Sequence, residues 1–414
     1  MSTGRGERGR PRAKIGQRVG QQVGRRDAAP YAADLANATR FALDTEFMGE
    51  GRYRTLLCLV QLAIPDVVGD GERIELLDPL SSDEDFAPLA RALADVGVRV
   101  VVHAGRQDVA LVRRRLDTEV RNIFDTQVAA GFAGLGAQTS YESLLSELLG
   151  VRVAKSASFT RWDARPLSRE QLAYAREDVV HLLALAEELE RRLRELGRLE
   201  WALEECSVLE SASDEREVGA IFERLPRVRA LSASARPIAR ELVAWRERVA
   251  REQDRPAQSV LADSALVEIA KRKPANPAQL AALRGAGAHS MRRRSTELLE
   301  VVARARDLPE DPAPPRAATA MPQPRDAPLI ALAEALLRGR AREAGLAYEL
   351  LASRADLQQI VATYRERGRE ADVRTLRGWR RELAGAEVLD LLEGRLSLSV
   401  ADSALRVERG GPEP

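Results

Sequence analysis

Over the first half of the chain, short apolar runs alternate with stretches of helical periodicity. LLCLVQLA (56–63), RIELLDP (73–79) and VRVVVHA (98–104) read as strands. DEDFAPLARALADVG (83–97), SYESLLSELLG (140–150) and SREQLAYAREDVVHLLALAEELERRLRELG (168–197) carry apolar residues at helical spacing. The alternation predicts an α/β domain over 31–203. The turn MGEGRYRT (48–55), between the first two apolar runs, predicts an antiparallel start and so a mixed sheet flanked by helices. Strand signals vanish after about 204. A connector (204–224) leads to a helical bundle over 225–306, a Pro- and Ala-rich linker follows at 307–328, and a second all-α bundle is expected over 329–403. The ends read as a disordered basic arm (1–30) and a tail (404–414).

Composition narrows the class. The chain has 414 residues, 45% of them hydrophobic and 31% charged, and no apolar run near the ~20 residues that span a bilayer. No membrane role is expected. Cys58 and Cys206 are far apart and fit no metal spacing, which suits a reducing, cytoplasmic setting. The opening segment has basic residues but no apolar core, so it does not read as a secretory signal. Only four of the 64 basic residues are Lys, an Arg and Ala bias of the kind a GC-rich bacterial genome produces. The whole chain carries +1, but 17 basic and 8 acidic residues between Arg227 and Arg306 give that stretch +9. A basic helical module is joined to a mildly acidic remainder.

The candidate chemistry starts in FALDTEF (41–47). Alternation in a strand puts Phe41, Leu43, Thr45 and Phe47 on one face and both carboxylates, Asp44 and Glu46, on the other. Buried acids without a positive partner cost several kcal/mol. Farther along, VVVHAGRQDVALVRR sets Asp108 in the first turn of a helix. In the helix that Ser168 and Gln171 cap as a box, Tyr174 and Asp178 stand four apart on one face. Taken singly, each has a plain explanation: a strand pattern, a dipole partner, a solvated pair. Four carboxylates converging in one α/β domain would instead repel unless a cation met them, and hard divalent ions take oxygen ligands.

These segments resemble the three exonuclease motifs of the DEDD family, in its tyrosine-bearing branch, and within it ribonuclease D. DTE (44–46), HAGRQD ending at Asp108 and YAREDV (174–179) occur in order, with matching flanks in YRTLLCLVQLA, FDTQVAAGF and KSASFTRWDARPLSREQLAYAREDV. The histidine-bearing branch needs His where Tyr174 stands; His181 lies beyond Asp178 and does not fit. The stretch IARELVAWRERVAREQDRPAQSVLADSALVEIAKRKPANPAQLAALRGAG is similar to the helicase-and-ribonuclease-D C-terminal (HRDC) domain, with Trp245, Leu261, Leu266, Ile269 and Leu280 read as core. The last module is similar to the final helical domain of ribonuclease D, and its Trp379-Arg380 echoes Trp245-Arg246.

The resemblance implies a ribonuclease H-like fold and two-metal-dependent 3′-to-5′ trimming of RNA ends such as tRNA precursors, releasing nucleoside 5′-monophosphates. It implies Asp44 bridging two Mg²⁺ or Mn²⁺ ions, Glu46 and Asp178 completing the first ion's shell, Asp108 holding the second, and Tyr174 orienting the attacking water. His103, Tyr53, Lys155, Arg161 and Arg165 are candidates for touching substrate, each with a structural alternative. Arg292, Arg293 and Arg294, after LRGAG, are candidates for RNA phosphates. The expected partner is RNA, with single-stranded DNA as a further candidate, and the chain is expected to act as a monomer. Two other readings stand beside this one, a DNA exonuclease of repair and a non-catalytic RNA-binding scaffold. Loss of any of the four acids would have favoured the scaffold; all four are present.

Overall fold

The computed structural model describes residues 29–66, 71–82, 84–153, 161–283, 293–312, 323–368 and 370–410. They form two compact units, one of 29–46, 57–129 and 140–212, the other of 47–56, 130–139 and 213–410.

The first unit is built on a five-stranded sheet. Its strands are β1 (Arg40–Met48), β2 (Leu56–Pro65), β3 (Glu72–Leu77), β4 (Arg99–Val102) and β5 (Ile123–Asp125), in the order β3-β2-β1-β4-β5. β1, β4 and β5 run parallel, with Arg40 opposite Arg99 and Val101 opposite Phe124, while β3 runs antiparallel to β2. The sheet is therefore mixed.

One face packs in a single apolar cluster with α1 (Ala29–Asn37), α2 (Ala87–Ala94) and α3 (Arg106–Leu116). The side chains that β1 and β2 bring to that cluster are Phe41, Leu43, Leu57, Val60, Leu62 and Ile64, and alternation over 41–46 and 60–64 sends Asp44, Glu46 and Gln61 to the opposite face. Each fully buried side chain contributes roughly 1.5–3 kcal/mol, so a one-residue slip of register is strongly disfavoured. After α4 (Thr126–Phe132) come α5 (Arg169–Glu177), α6 (Leu182–Glu195) and α7 (Leu199–Ser207). These touch β3, β4 and β5 respectively.

In the second unit, α8 (Arg236–Glu252), α9 (Asp263–Arg272) and α10 (Ser295–Arg306) enclose one core holding Trp245, Leu261, Leu266, Ile269 and Leu280. A second core lies among α11 (Ala327–Glu343), α12 (Arg354–Arg367) and α13 (Ala386–Leu392). α8 and α11 both have 17 residues, and each leads through a four-residue helix, Ala257–Val260 or Tyr348–Leu351, to the next long helix. The two bundles share that element order, whereas the two Trp-Arg pairs occupy different places: Trp245 lies on the first helix of its bundle, Trp379 in the Gly378–Arg380 turn near the end of the other.

The second module is not all-α as expected. β6 (Leu396–Ala401) and β7 (Ala404–Arg409) form an antiparallel hairpin in what had read as helix and tail. Asp402 and Ser403 join them with φ of 52° and 61°, the two left-handed positions that a tight right-twisting hairpin needs. Among the described residues no helix is long and apolar enough to cross a membrane.

Candidate active site

Three elements deliver the acids. β1 supplies Asp44 and Glu46. Asp108 sits in the first turn of α3 and is buried; the Thr45 hydroxyl, from the other face of β1, donates to its carboxylate. The approach to α3 is tightly built. Ala104 holds φ at 53°, a conformation that costs a residue with a Cβ about 1–3 kcal/mol. A Cβ on Gly105 would come within 2.5 Å of the Val102 side chain, so only glycine fits there. The 2% exposed Asp125 carboxylate secures this loop, accepting backbone N–H bonds from Ala104 (3.0 Å), Gly105 (2.9 Å), Gln127 (2.8 Å) and Val128 (3.3 Å). This clamp fixes where α3 starts and therefore where Asp108 points.

α5 starts at the expected capping box: the Gln171 N–H donates to the Ser168 hydroxyl at 3.1 Å, and the Ser168 N–H to the Gln171 side chain at 2.9 Å. Tyr174 hydrogen-bonds Asp178 one turn later, and its ring lies 6.1 Å from that of buried Trp162. The sequence read as one helix to Gly197. The chain instead breaks at Asp178–His181, where bonds tighten to three-residue closures, Val179 N–H to Arg176 O and Leu182 N–H to Val179 O. Asp178 thus caps the C-terminal end of α5, where a helix dipole disfavours negative charge.

The electrostatics follow from crowding. Burial, then the charges of Asp108, Asp178 and Glu46, push Asp44 well above the carboxylate range, with the Thr45 backbone opposing. Burial, Asp178 and Asp108 push Glu46 up to about 8. Asp178 rises to about 7 through burial, Glu142 and Glu177, against its Tyr174 bond, and Asp108 to about 6 through burial, against its Thr45 bond. Tyr174 is raised by burial and by Asp178, so it does not serve as a free base near neutral pH. Among the described residues no three His, Cys, Asp or Glu side chains are grouped closely enough to hold a metal ion as they stand. The donor set is nonetheless all oxygen, desolvated and mutually repelling, which suits a hard divalent cation.

The other candidates divide. His103 Nδ1 lies 2.9 Å from the Thr126 hydroxyl, which donates to Val102 O, so the imidazole is the donor and is held in place. Arg165 does not reach for phosphate: it grips Asp78 through Nε (2.7 Å) and Nη2 (2.6 Å) and also donates to Cys58 O. Tyr53 is not a stacking platform. Only 5% exposed, it belongs to the core of the α8–α10 bundle, with its N–H and Arg52 both bonded to Asp254. Arg294 pairs with Glu297, whereas Arg293 is exposed, as is Arg161 beyond its contact with Asp163. Lys155 and Arg292 lie outside the described residues. The sequence reading missed Thr45, which bonds Asp108, and Tyr141, which feels the charges of Asp178 and Asp44.

Comparison with known proteins agrees with this geometry. Residues 25–194 match a family described as a 3′-5′ exonuclease, and 235–302 match the HRDC domain. Ribonuclease D of Granulibacter bethesdensis is 36% identical over 385 residues, covering 92% of this chain and 94% of that one. This chain belongs to the ribonuclease D family. Ribonuclease D of Gluconacetobacter diazotrophicus is 38% identical over 371 residues, covering 89% and 91% of the two chains. The crystal structure of Escherichia coli RNase D, described as an exoribonuclease involved in structured RNA processing, superposes with a TM-score of 0.74 at 28% identity and covers 89% of this chain and 96% of that one. The chain is a 3′-to-5′ exoribonuclease, a hydrolase carrying an exonuclease domain with a mixed sheet and an HRDC region.

Proposed function

We propose that the reaction runs at Asp44, Glu46, Asp108 and Asp178 with two divalent ions, Mg²⁺ or Mn²⁺, and trims the 3′ ends of structured RNA such as tRNA precursors, releasing nucleoside 5′-monophosphates. The observation that carries this reading is that a strand and two helices bring in four carboxylates that burial pushes up, with Asp44 raised further by the charges of the other three and Glu46 by those of Asp178 and Asp108. Asp44, which feels the charges of the other three, would help to hold both ions, Glu46 and Asp178 would help to hold one and Asp108 the other. When bound, such a pair lowers the pKa of an attacking water and stabilises both the entering and the leaving oxygen of an in-line displacement. Tyr174, tied to Asp178, orients the water rather than removing its proton. In this reading the fixed His103 ring and exposed Arg161 would contact the RNA end, and exposed Arg293, on a module that carries +9, would supply phosphate contacts and counterion release.

The test is a 5′-labelled single-stranded RNA incubated with Mg²⁺ or Mn²⁺, beside EDTA and DNA of the same sequence. The expected result is an RNA ladder that shortens from the 3′ end, disappears in EDTA and is weaker for DNA. Shortening that persists in EDTA would contradict the metal reading. DNA degraded faster than RNA would contradict the choice of substrate.

A further inference from the structure

Gln61 is wholly buried in the middle of β2, and neither its amide nitrogen nor its amide oxygen has a hydrogen-bond partner among the described residues. A buried amide left in that state is destabilising, because its lost hydration is not replaced, whereas an apolar side chain there would carry no such penalty. Its neighbours on β2, Val60 and Leu62, enter the cluster that also holds Phe41 and Leu43. Gln61 therefore shares the opposite face with Asp44 on the adjacent strand β1.

A second orphan lies on the same side. The Tyr141 hydroxyl is buried and has no hydrogen bond of good geometry, although the His181 backbone is near; its ring leans on His103 at 5.7 Å, and it feels the charges of Asp178 and Asp44. Gln61 offers two N–H donors and Tyr141 one O–H. The Thr45 backbone bond supports the charged form of Asp44 against burial and the charges of three acids.

We propose that Gln61 and Tyr141 back the Asp44 carboxylate, each through one bridging water, and hold it in the orientation in which it takes up a divalent ion. They are positioning residues, and the inference rests on the metal reading of the preceding section. Carboxylates and imidazoles that ligate metals are generally held by such outer hydrogen bonds, whose loss lowers metal affinity or activity about 10–100-fold. A merely structural Gln61 would behave differently: its replacement by a side chain of similar shape without polar groups would leave ion binding untouched.

The experiment compares the wild type with Gln61→Met and Tyr141→Phe by thermal melting without metal, by calorimetric Mn²⁺ titration, and by kcat and KM on one RNA oligomer. Gln61→Met is expected to melt at or above the wild-type temperature, yet to bind Mn²⁺ about 10–100-fold more weakly, with kcat lowered and KM for RNA unchanged. Tyr141→Phe is expected to move the same way by less. Mn²⁺ affinity within twofold of wild type in both variants overturns the inference. If Gln61→Met fails to fold, Tyr141→Phe decides alone, since it removes a single oxygen. A wild type that binds no Mn²⁺ overturns the metal reading and this inference with it; normal wild-type binding with unchanged variants overturns this inference only.

Discussion

Asp125 illustrates how much of the site depends on one side chain that carries no chemistry itself. An Asp at a strand end ordinarily caps one element; Asp125 caps two together, the left-handed turn before α3 and the start of α4. Asp125→Ala would leave four backbone N–H groups without their acceptor in a buried setting. The expected loss of stability is about 3 kcal/mol or more, measured by urea unfolding. kcat is expected to fall with it because Asp108 loses its fixed origin; a stable, fully active variant would contradict the clamp. At this scale the acids were legible because strand and helix periods assign faces to charged residues. Thr45, Gln61 and Tyr141 were not. A threonine on a buried face, an amide inside a strand and a tyrosine on the short helix Tyr141–Leu144 are each ordinary in a core; only assembly gives the threonine its bond to Asp108, brings the tyrosine under the charges of Asp44 and Asp178, and turns the amide to the sheet face that Asp44 occupies.

At the scale of elements, the start of α5 was legible and its end was not. Ser168 and Gln171 announce the cap chemically, whereas the break after Glu177 falls in DVVH, which has neither proline nor glycine. The break is a tertiary effect, made by the turn that carries Asp178. Ser168→Ala removes the acceptor for the Gln171 N–H and is expected to cost about 1 kcal/mol in thermal unfolding. Because this cap sets the first turn of the helix that bears Tyr174, kcat is expected to fall more than KM rises; an unchanged kcat would detach the cap from the site. The C-terminal hairpin did leave a sequence signal. LSLSVA and ALRVER alternate with period two around the two-residue turn Asp402–Ser403, but a helical module immediately before them masks the change of period. The Tyr53 loop failed for the opposite reason: an aromatic beside arginines reads as a substrate platform, and burial in a helical core leaves no signature in the loop's own sequence.

At the scale of the whole molecule, the raised carboxylates make stability depend on pH in a direction opposite to that of ion-paired acids. In the unfolded chain Asp and Glu titrate near 4, whereas Asp108, Asp178 and Glu46 in the folded protein titrate near 6, 7 and 8. Between those values the folded state holds more protons, so stability is full below about pH 4 with respect to these groups and declines as pH rises toward 8. Metal-free protein is therefore expected to lose melting temperature from pH 5.5 to 8, and Mn²⁺ to raise that temperature far more at pH 8 than at pH 5.5, since binding must displace the protons. A Mn²⁺ effect independent of pH would contradict the crowded-acid account.

The most direct measurement is a calorimetric titration of Mn²⁺ into the metal-free wild type and into Asp44→Asn, at pH 8 with a nucleoside 5′-monophosphate present. The account predicts two ions per chain in the wild type and one or none in the variant, with exonuclease activity lowered by about 10³-fold or more alongside. Equal stoichiometry and affinity in the two proteins would contradict it.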